Sequence, residues 1–131
     1  DGVEYRQARG EIGQFGGAFY MSEIGDGPKT FNPWASYDNT SSTAGEMMLA
    51  GLVDTDAFTG KVVPNLAKSV VVSTDHKTYV VTLRKGLTWS DGAPLTSKDV
   101  VFTWNTILKK GLGNPSARDN LLINGQFPEV R

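Results

Sequence analysis

Several residues stand at spacings that catalytic or metal-binding chemistry requires, and their neighbours decide what each can do. His76, the single histidine, follows Asp75 in the polar stretch Ser73-Thr74-Asp75-His76-Lys77. A Ser-His-Asp relay needs its imidazole fixed between a nucleophile and a carboxylate in a water-excluded pocket. A turn between two β-branched runs offers a solvated tip instead. Asp54-Thr55-Asp56 opens like a calcium loop, but Phe58 occupies the third ligand position and Thr59 stands where the sharp-turn glycine belongs. Gly10, Gly13, Gly16 and Gly17 lack the spacings that cradle a phosphate or a dinucleotide. No serine lies in a nucleophile-elbow pattern. The chain has no cysteine, which excludes thiolate metal sites and disulfides. These residues point to no enzyme, no metal and no cofactor. Trp34, Trp89 and Trp104 have ring faces on which sugars or bases could stack. Trp104 falls on an apolar helix face and Trp89 in an apolar-flanked strand, so both read as core, and Trp34 reads as a plug for a local gap.

The elements that must position these groups centre on residues 78–108. Thr78-Tyr79-Val80-Val81-Thr82-Leu83-Arg84 is β-branched or aromatic almost throughout. Period two puts Tyr79, Val81 and Leu83 on one face, predicting a half-buried strand. Val70-Val71-Val72 precedes it across the polar turn, predicting a hairpin. Ser90-Asp91-Gly92-Ala93-Pro94 is dense turn chemistry. Thr96 stands three residues before Asp99, a capping box with Asp in place of Glu. The helix it opens carries Val100, Val101, Trp104, Ile107 and Leu108 at helical spacing, and Lys109-Lys110-Gly111 closes it. Val101, Trp104 and Leu108 are expected in the core with Tyr79, Val81, Leu83 and Trp89.

Upstream, residues 1–17 read as a mobile, glycine-rich lead-in. Residues 18–24 are a strand candidate stopped by Gly25-Asp26-Gly27-Pro28. Residues 29–37 form a loop in which Pro33 biases Asn32 away from helix. Residues 38–52 carry a helical pattern with Asp38, Thr40 or Thr43 as its cap; Ala44, Met48 and Leu52 lie on one face. Residues 54–60 read as a hairpin or loop tip, 61–63 as extended, 64–67 as a single helical turn, and 117–123 as a short helix. The resulting fold class is α+β: a small mixed or antiparallel sheet with a hairpin and two main helices.

One domain's worth of chain, 131 residues with 39% hydrophobic and 21% charged, is ordinary for a folded protein. A net charge of −1 gives no electrostatic reason for nucleic acid as a partner. No apolar run approaches a membrane span, and no signal peptide stands at the start.

Ordered similarity goes further than spacing. Gly25-Asp26 with Lys29-Thr30-Phe31-Asn32-Pro33 forms a first signature; Gly51-Leu52-Val53, Asp56, Thr59-Gly60, Pro64, Leu66-Ala67 and Ser69 form a second. The third is Ser73, Asp75, Thr78-Tyr79, Leu83-Arg84, Gly86-Leu87, Trp89-Ser90-Asp91-Gly92, Pro94-Leu95-Thr96 and Asp99-Val100-Val101-Phe102. In this order, over residues 16–108, they resemble the N-terminal part of the family 5 extracellular solute-binding proteins, the oligopeptide- and dipeptide-binding components of ABC importers. One departure is Ser69-Val70-Val71, where family members often carry an aromatic at the last position.

The resemblance implies a periplasmic or other extracytoplasmic protein of two lobes in the type II periplasmic-binding-protein fold, closing on a peptide and delivering it to a membrane permease. A lipid anchor on the full-length form stays open. Residues 18–131 would supply the first strand and a small subdomain of the N-terminal lobe, as a fragment. The strand at 18–24 would then be an exposed edge, re-pair elsewhere, or swap with another copy in self-association. Within this reading, residues 32–39 and 114–120 line the cleft, and Asn32, Tyr37, Asp38 and Asn114 are the candidate ligand-binding residues. The alternatives are the same family binding oligosaccharide, a nickel complex or another solute, and a free-standing carbohydrate-binding or interaction module.

Overall fold

Turn chemistry decides where the first half of the structure folds back on itself. The computed structural model describes Glu4 and residues 13, 14, 16–18, 20–112 and 114–131. The chain divides into two units, one of Asp1–Ser22 with Ala50–Leu95 and one of Glu23–Leu49 with Thr96–Arg131. Most of the lead-in lies outside the described residues.

The first unit holds two antiparallel ribbons. Strands β1 (Val53–Thr55) and β2 (Val62–Pro64) pair with Thr55 opposite Val62. Their tip is closed by Asp56, whose carboxylate Oδ1 accepts the Phe58 amide at 3.1 Å and the Thr59 amide and hydroxyl at 2.8 Å each. Gly60 takes a φ of +66° at that corner, a region that glycine enters without steric cost. The Asp54-Thr55-Asp56 sequence is therefore hairpin chemistry. Strands β3 (Ala67–Val72) and β4 (Tyr79–Leu83) form the second ribbon, as the period-two runs predict, with Val70 opposite Val81 and Val72 opposite Tyr79. Register shifts between Ala67 and Ser69, a bulge that leaves Lys68 unopposed. At the tip, the Ser73 hydroxyl donates to Asp75 at 2.5 Å, the Lys77 amide donates to Asp75 at 3.1 Å, and exposed His76 adopts a φ of 57°. Downstream, Thr88 bridges Pro94 around a turn in which Gly92 has a φ of +87° and the Ala93 amide donates to Asp91.

Three expectations for this unit are corrected. Residues 64–67 are not a helical turn: Pro64 ends β2 and Ala67 starts β3, and the amides of Asn65 and Ala67 both donate to the Leu52 carbonyl. Among the described residues of 18–24 there is no strand, and Tyr20 and Ile24 are fully or nearly fully exposed. A strand needs a ladder partner, and a short apolar run alone supplies none. The third concerns burial. Tyr79 is 61% exposed, Trp89 45% and Val81 39%, so these three are not core in this chain, whereas Leu83 is half-buried. A two-stranded ribbon with no layer across it keeps both faces wet. Among the described residues its base is the best covered: Ala67 is 0% exposed opposite Leu83, and the Arg84 amide and guanidinium Nε donate to the Leu66 and Asn65 carbonyls.

The second unit is helical. Helix α1 spans Asn39–Met48, ending four residues short of the sequence-based estimate, with Asp38 as its cap. The face it buries is not the methionine face. Ser41 and Gly45, one turn apart, are buried, while Met47, Met48 and Leu49 are exposed. The 29–33 loop lies over this face: the Ser41 hydroxyl accepts its amides, and a Cβ at Gly45 would stand 3.9 Å from the Pro33 Cβ, an ordinary contact distance. Helix α2 (Ser97–Phe102) begins at the expected capping box: the Asp99 carboxylate accepts the Thr96 amide at 2.7 Å and its hydroxyl at 3.0 Å.

From Thr103 to Leu108 the same helix is wound as a π-helix, with the Lys109 amide donating to the Trp104 carbonyl at 2.8 Å. The wider winding lets Trp104 and Asn105, adjacent in sequence, reach one segment. Trp104 Nε1 donates to the Pro128 carbonyl at 2.8 Å and Asn105 Nδ2 to the Val130 carbonyl at 3.3 Å. Trp104 also meets the Phe127 ring at a centroid separation of 5.2 Å. Leu108 is buried, and Val101 and Trp104 are half-buried. Gly111 ends the helix with a φ of +67°. Helix α3 is Pro115–Asp119, two residues earlier than the spacing predicts, because Asn114 caps it and Pro115 fills its first position. Among the described residues, no helix is long and apolar enough to cross a membrane.

Candidate functional site

The loop at residues 32–38 and the start of α3 meet within the second unit, and their side chains show why. The Asn32 Oδ1 accepts the Trp34 amide at 3.0 Å, and the Ala35 amide donates to the Asn32 carbonyl at 3.1 Å, a local turn of the kind asparagine makes easily. Asp38 turns the chain into α1. Its carboxylate accepts the Ser41 amide at 2.8 Å and the Ser41 hydroxyl at 2.9 Å. The Ser41 amide first, then its hydroxyl, hold the Asp38 carboxyl below the ordinary aspartate range. The Ser41 Oγ also accepts the amides of Lys29 and Thr30 at 2.9 and 3.2 Å, so one hydroxyl at 1% exposure ties the incoming loop to the cap.

Ser36, 6% exposed, shares a hydrogen bond with the Ser42 hydroxyl at 3.1 Å. Asn114 closes the arrangement from the far end of the sequence. Its Nδ2 donates to the Ser36 carbonyl at 2.8 Å, its Oδ1 accepts the Ser116 amide at 3.0 Å, and its own amide donates to the Trp34 carbonyl. Trp34 itself is half-buried.

All four candidate ligand residues, Asn32, Tyr37, Asp38 and Asn114, thus belong to one hydrogen-bonded structure. Their parts in it differ. Asn32, Asp38 and Asn114 use side-chain atoms to hold backbone, whereas Tyr37 is 72% exposed on the loop they hold. Spacing could not reveal Ser36 and Ser41, since isolated serines carry no pattern. Thr43, an alternative cap, instead donates to Glu23 at 3.2 Å. Among the described residues, no three His, Asp or Glu side chains gather as metal ligands. The arrangement can present a rigid wall with an aromatic side chain on it.

Residues 61–126, half of the chain, match the family described as bacterial extracellular solute-binding proteins, family 5 Middle. Over 90 residues the chain is 34% identical to the periplasmic oligopeptide-binding protein OppA of Haemophilus influenzae, a match covering 69% of this chain and 16% of that protein. It is equally similar, 34% over 90 residues and 17% of the relative, to the Escherichia coli protein YgiS, described as a probable deoxycholate-binding periplasmic protein. The crystal structure of the ABC transporter substrate-binding protein CtaP from Listeria monocytogenes superposes with a TM-score of 0.63 at 40% identity, covering 77% of this chain and 20% of that one. The chain therefore spans a fifth or less of the relatives it matches.

Proposed function

The chain belongs to the bacterial extracellular solute-binding proteins of family 5, and from that membership we propose that it forms part of one lobe of a longer protein. That protein captures peptides outside the cytoplasm and passes them to the permease of an ABC importer. The similarity to an oligopeptide-binding protein over 69% of the chain is the observation that carries this reading. Its work is capture and release, with no bond made or broken.

In this reading the anchored loop 32–38 is a stretch of cleft wall. Tyr37 supplies the ligand contact, a large exposed ring that can bury apolar area against a ligand. Asn32, Asp38 and Asn114 keep that ring in place, since preorganised groups lose less entropy when a ligand arrives. A single wall cannot enclose a ligand, so affinity requires the remainder of the clamshell.

The equal similarity to a protein described as binding deoxycholate favours a second reading, the same role with an amphipathic non-peptide solute. Calorimetry on the product of the complete reading frame, titrated separately with a mixture of tri- to pentapeptides and with deoxycholate, distinguishes the two. Peptide binding with intact peptides recovered is the expected result. Binding of deoxycholate alone would replace the first reading by the second, and tight peptide binding by these 131 residues alone would overturn the partial-wall reading.

A further inference from the structure

We propose that Asn114 is a positioning residue that sets the placement of Tyr37, an inference resting on the reading that loop 32–38 lines the ligand cleft. Three polar groups of this one residue bridge two segments 78 positions apart: Nδ2 to the Ser36 carbonyl, Oδ1 to the Ser116 amide, and its amide to the Trp34 carbonyl. Other side-chain ties within the loop are local. Asn32 closes its entry, and Asp38 with Ser42 closes its exit, all within eleven residues of sequence. Local ties shape the loop; Asn114 relates it to α3. Tyr37 directly follows Ser36, the residue whose carbonyl Asn114 grips, so a release there loosens the backbone that carries the ring.

The amide group has two separable jobs. Capping α3 needs only an acceptor, which Asp and Ser also provide. Holding the Ser36 carbonyl needs the donor, which Asp lacks and Ser is too short to deliver. Asn114→Asp and Asn114→Ser therefore keep the cap and cut the side-chain tie to Ser36, while the backbone amide still donates to the Trp34 carbonyl.

The test uses the product of the complete reading frame and, as probe, the peptide most abundantly recovered from a tri- to pentapeptide mixture. Both variants are expected to raise amide hydrogen exchange at residues 34–37, to leave protection in α3 unchanged, and to weaken peptide binding about tenfold, mainly through faster dissociation, because the loop must now be ordered during binding. Unchanged loop exchange in both variants overturns the proposal. So does faster loop exchange with peptide affinity within about twofold of wild type. In that last case Tyr37→Ala separates the causes: weaker binding leaves the cleft-wall reading standing, and unaltered binding removes it as well.

Discussion

Replacing Ser41 by alanine should loosen the loop before α1 while leaving the helix in place. The hydroxyl is 1% exposed and is the acceptor for two amides, those of Lys29 and Thr30. A net contribution of about 1 kcal/mol per hydrogen bond puts the loss at about 2 kcal/mol. Lys29 is exposed and can recruit water, which sets this as the upper end. The helix keeps its cap, because the Ser41 amide still donates to Asp38. Native-state hydrogen exchange read by NMR on the product of the complete reading frame measures the effect where it acts. Protection at residues 29 and 30 should fall by roughly thirtyfold, the equivalent of that energy. Ser42→Ala serves as the control, since its exposed hydroxyl holds no amide. If exchange at residues 29 and 30 stays within about threefold of wild type in Ser41→Ala, the hydroxyl is not what tethers the loop, and the account of the α1 face is wrong.

Gly45→Ala should stabilise the protein by up to about 1 kcal/mol, seen as a higher urea midpoint, because alanine is the better helix former and its methyl meets Pro33 only at an ordinary contact distance. Acid sensitivity should trace to Asp38 and Asp75. Both carboxyls are held below the ordinary 3.8, Asp38 by the Ser41 amide first and Asp75 by the Ser73 hydroxyl first. Lowered folded-state values mean that the unfolded chain binds more protons in that range. The contribution is therefore intact above 3.8 and lost as pH falls through the lowered values. A carboxyl NMR titration should find both below 3.8, with Asp38 moving back up in Ser41→Ala.

What the sequence revealed was local. The β3–β4 hairpin, the 54–60 tip and the Thr96–Asp99 capping box each depend on residues a few positions apart, so type and spacing identify them. What it concealed depends on partners. Tyr79, Val81 and Trp89 have the composition of core residues, yet a ribbon's burial is decided by what lies across it. Residues 18–24 open with a short apolar and aromatic run like a strand, and pairing needs a second strand. In helix α1 the methionines have the composition of a buried face, while the 29–33 loop, hydrogen-bonded to the Ser41 hydroxyl, covers Ser41 and Gly45 instead. In the candidate site the composition singles out the two stretches but not the Ser36–Asn114 bond that joins them, since nothing at either position marks a partner 78 residues away. The π-helical winding from Thr103 to Leu108 left no trace in spacing at all.

The interleaved order of the two units sets a folding sequence. Each ribbon of the first unit closes over a short stretch, so its loop entropy is small and it can form early. The second unit is assembled from Glu23–Leu49 and Thr96–Arg131, with 46 intervening residues that belong to the first. As the chain leaves the ribosome, residues 23–49 must wait for both ribbons to be made before Asn114 arrives to grip Ser36. The loop that Asn114 ties to α3 is thus among the last parts of this chain to be completed.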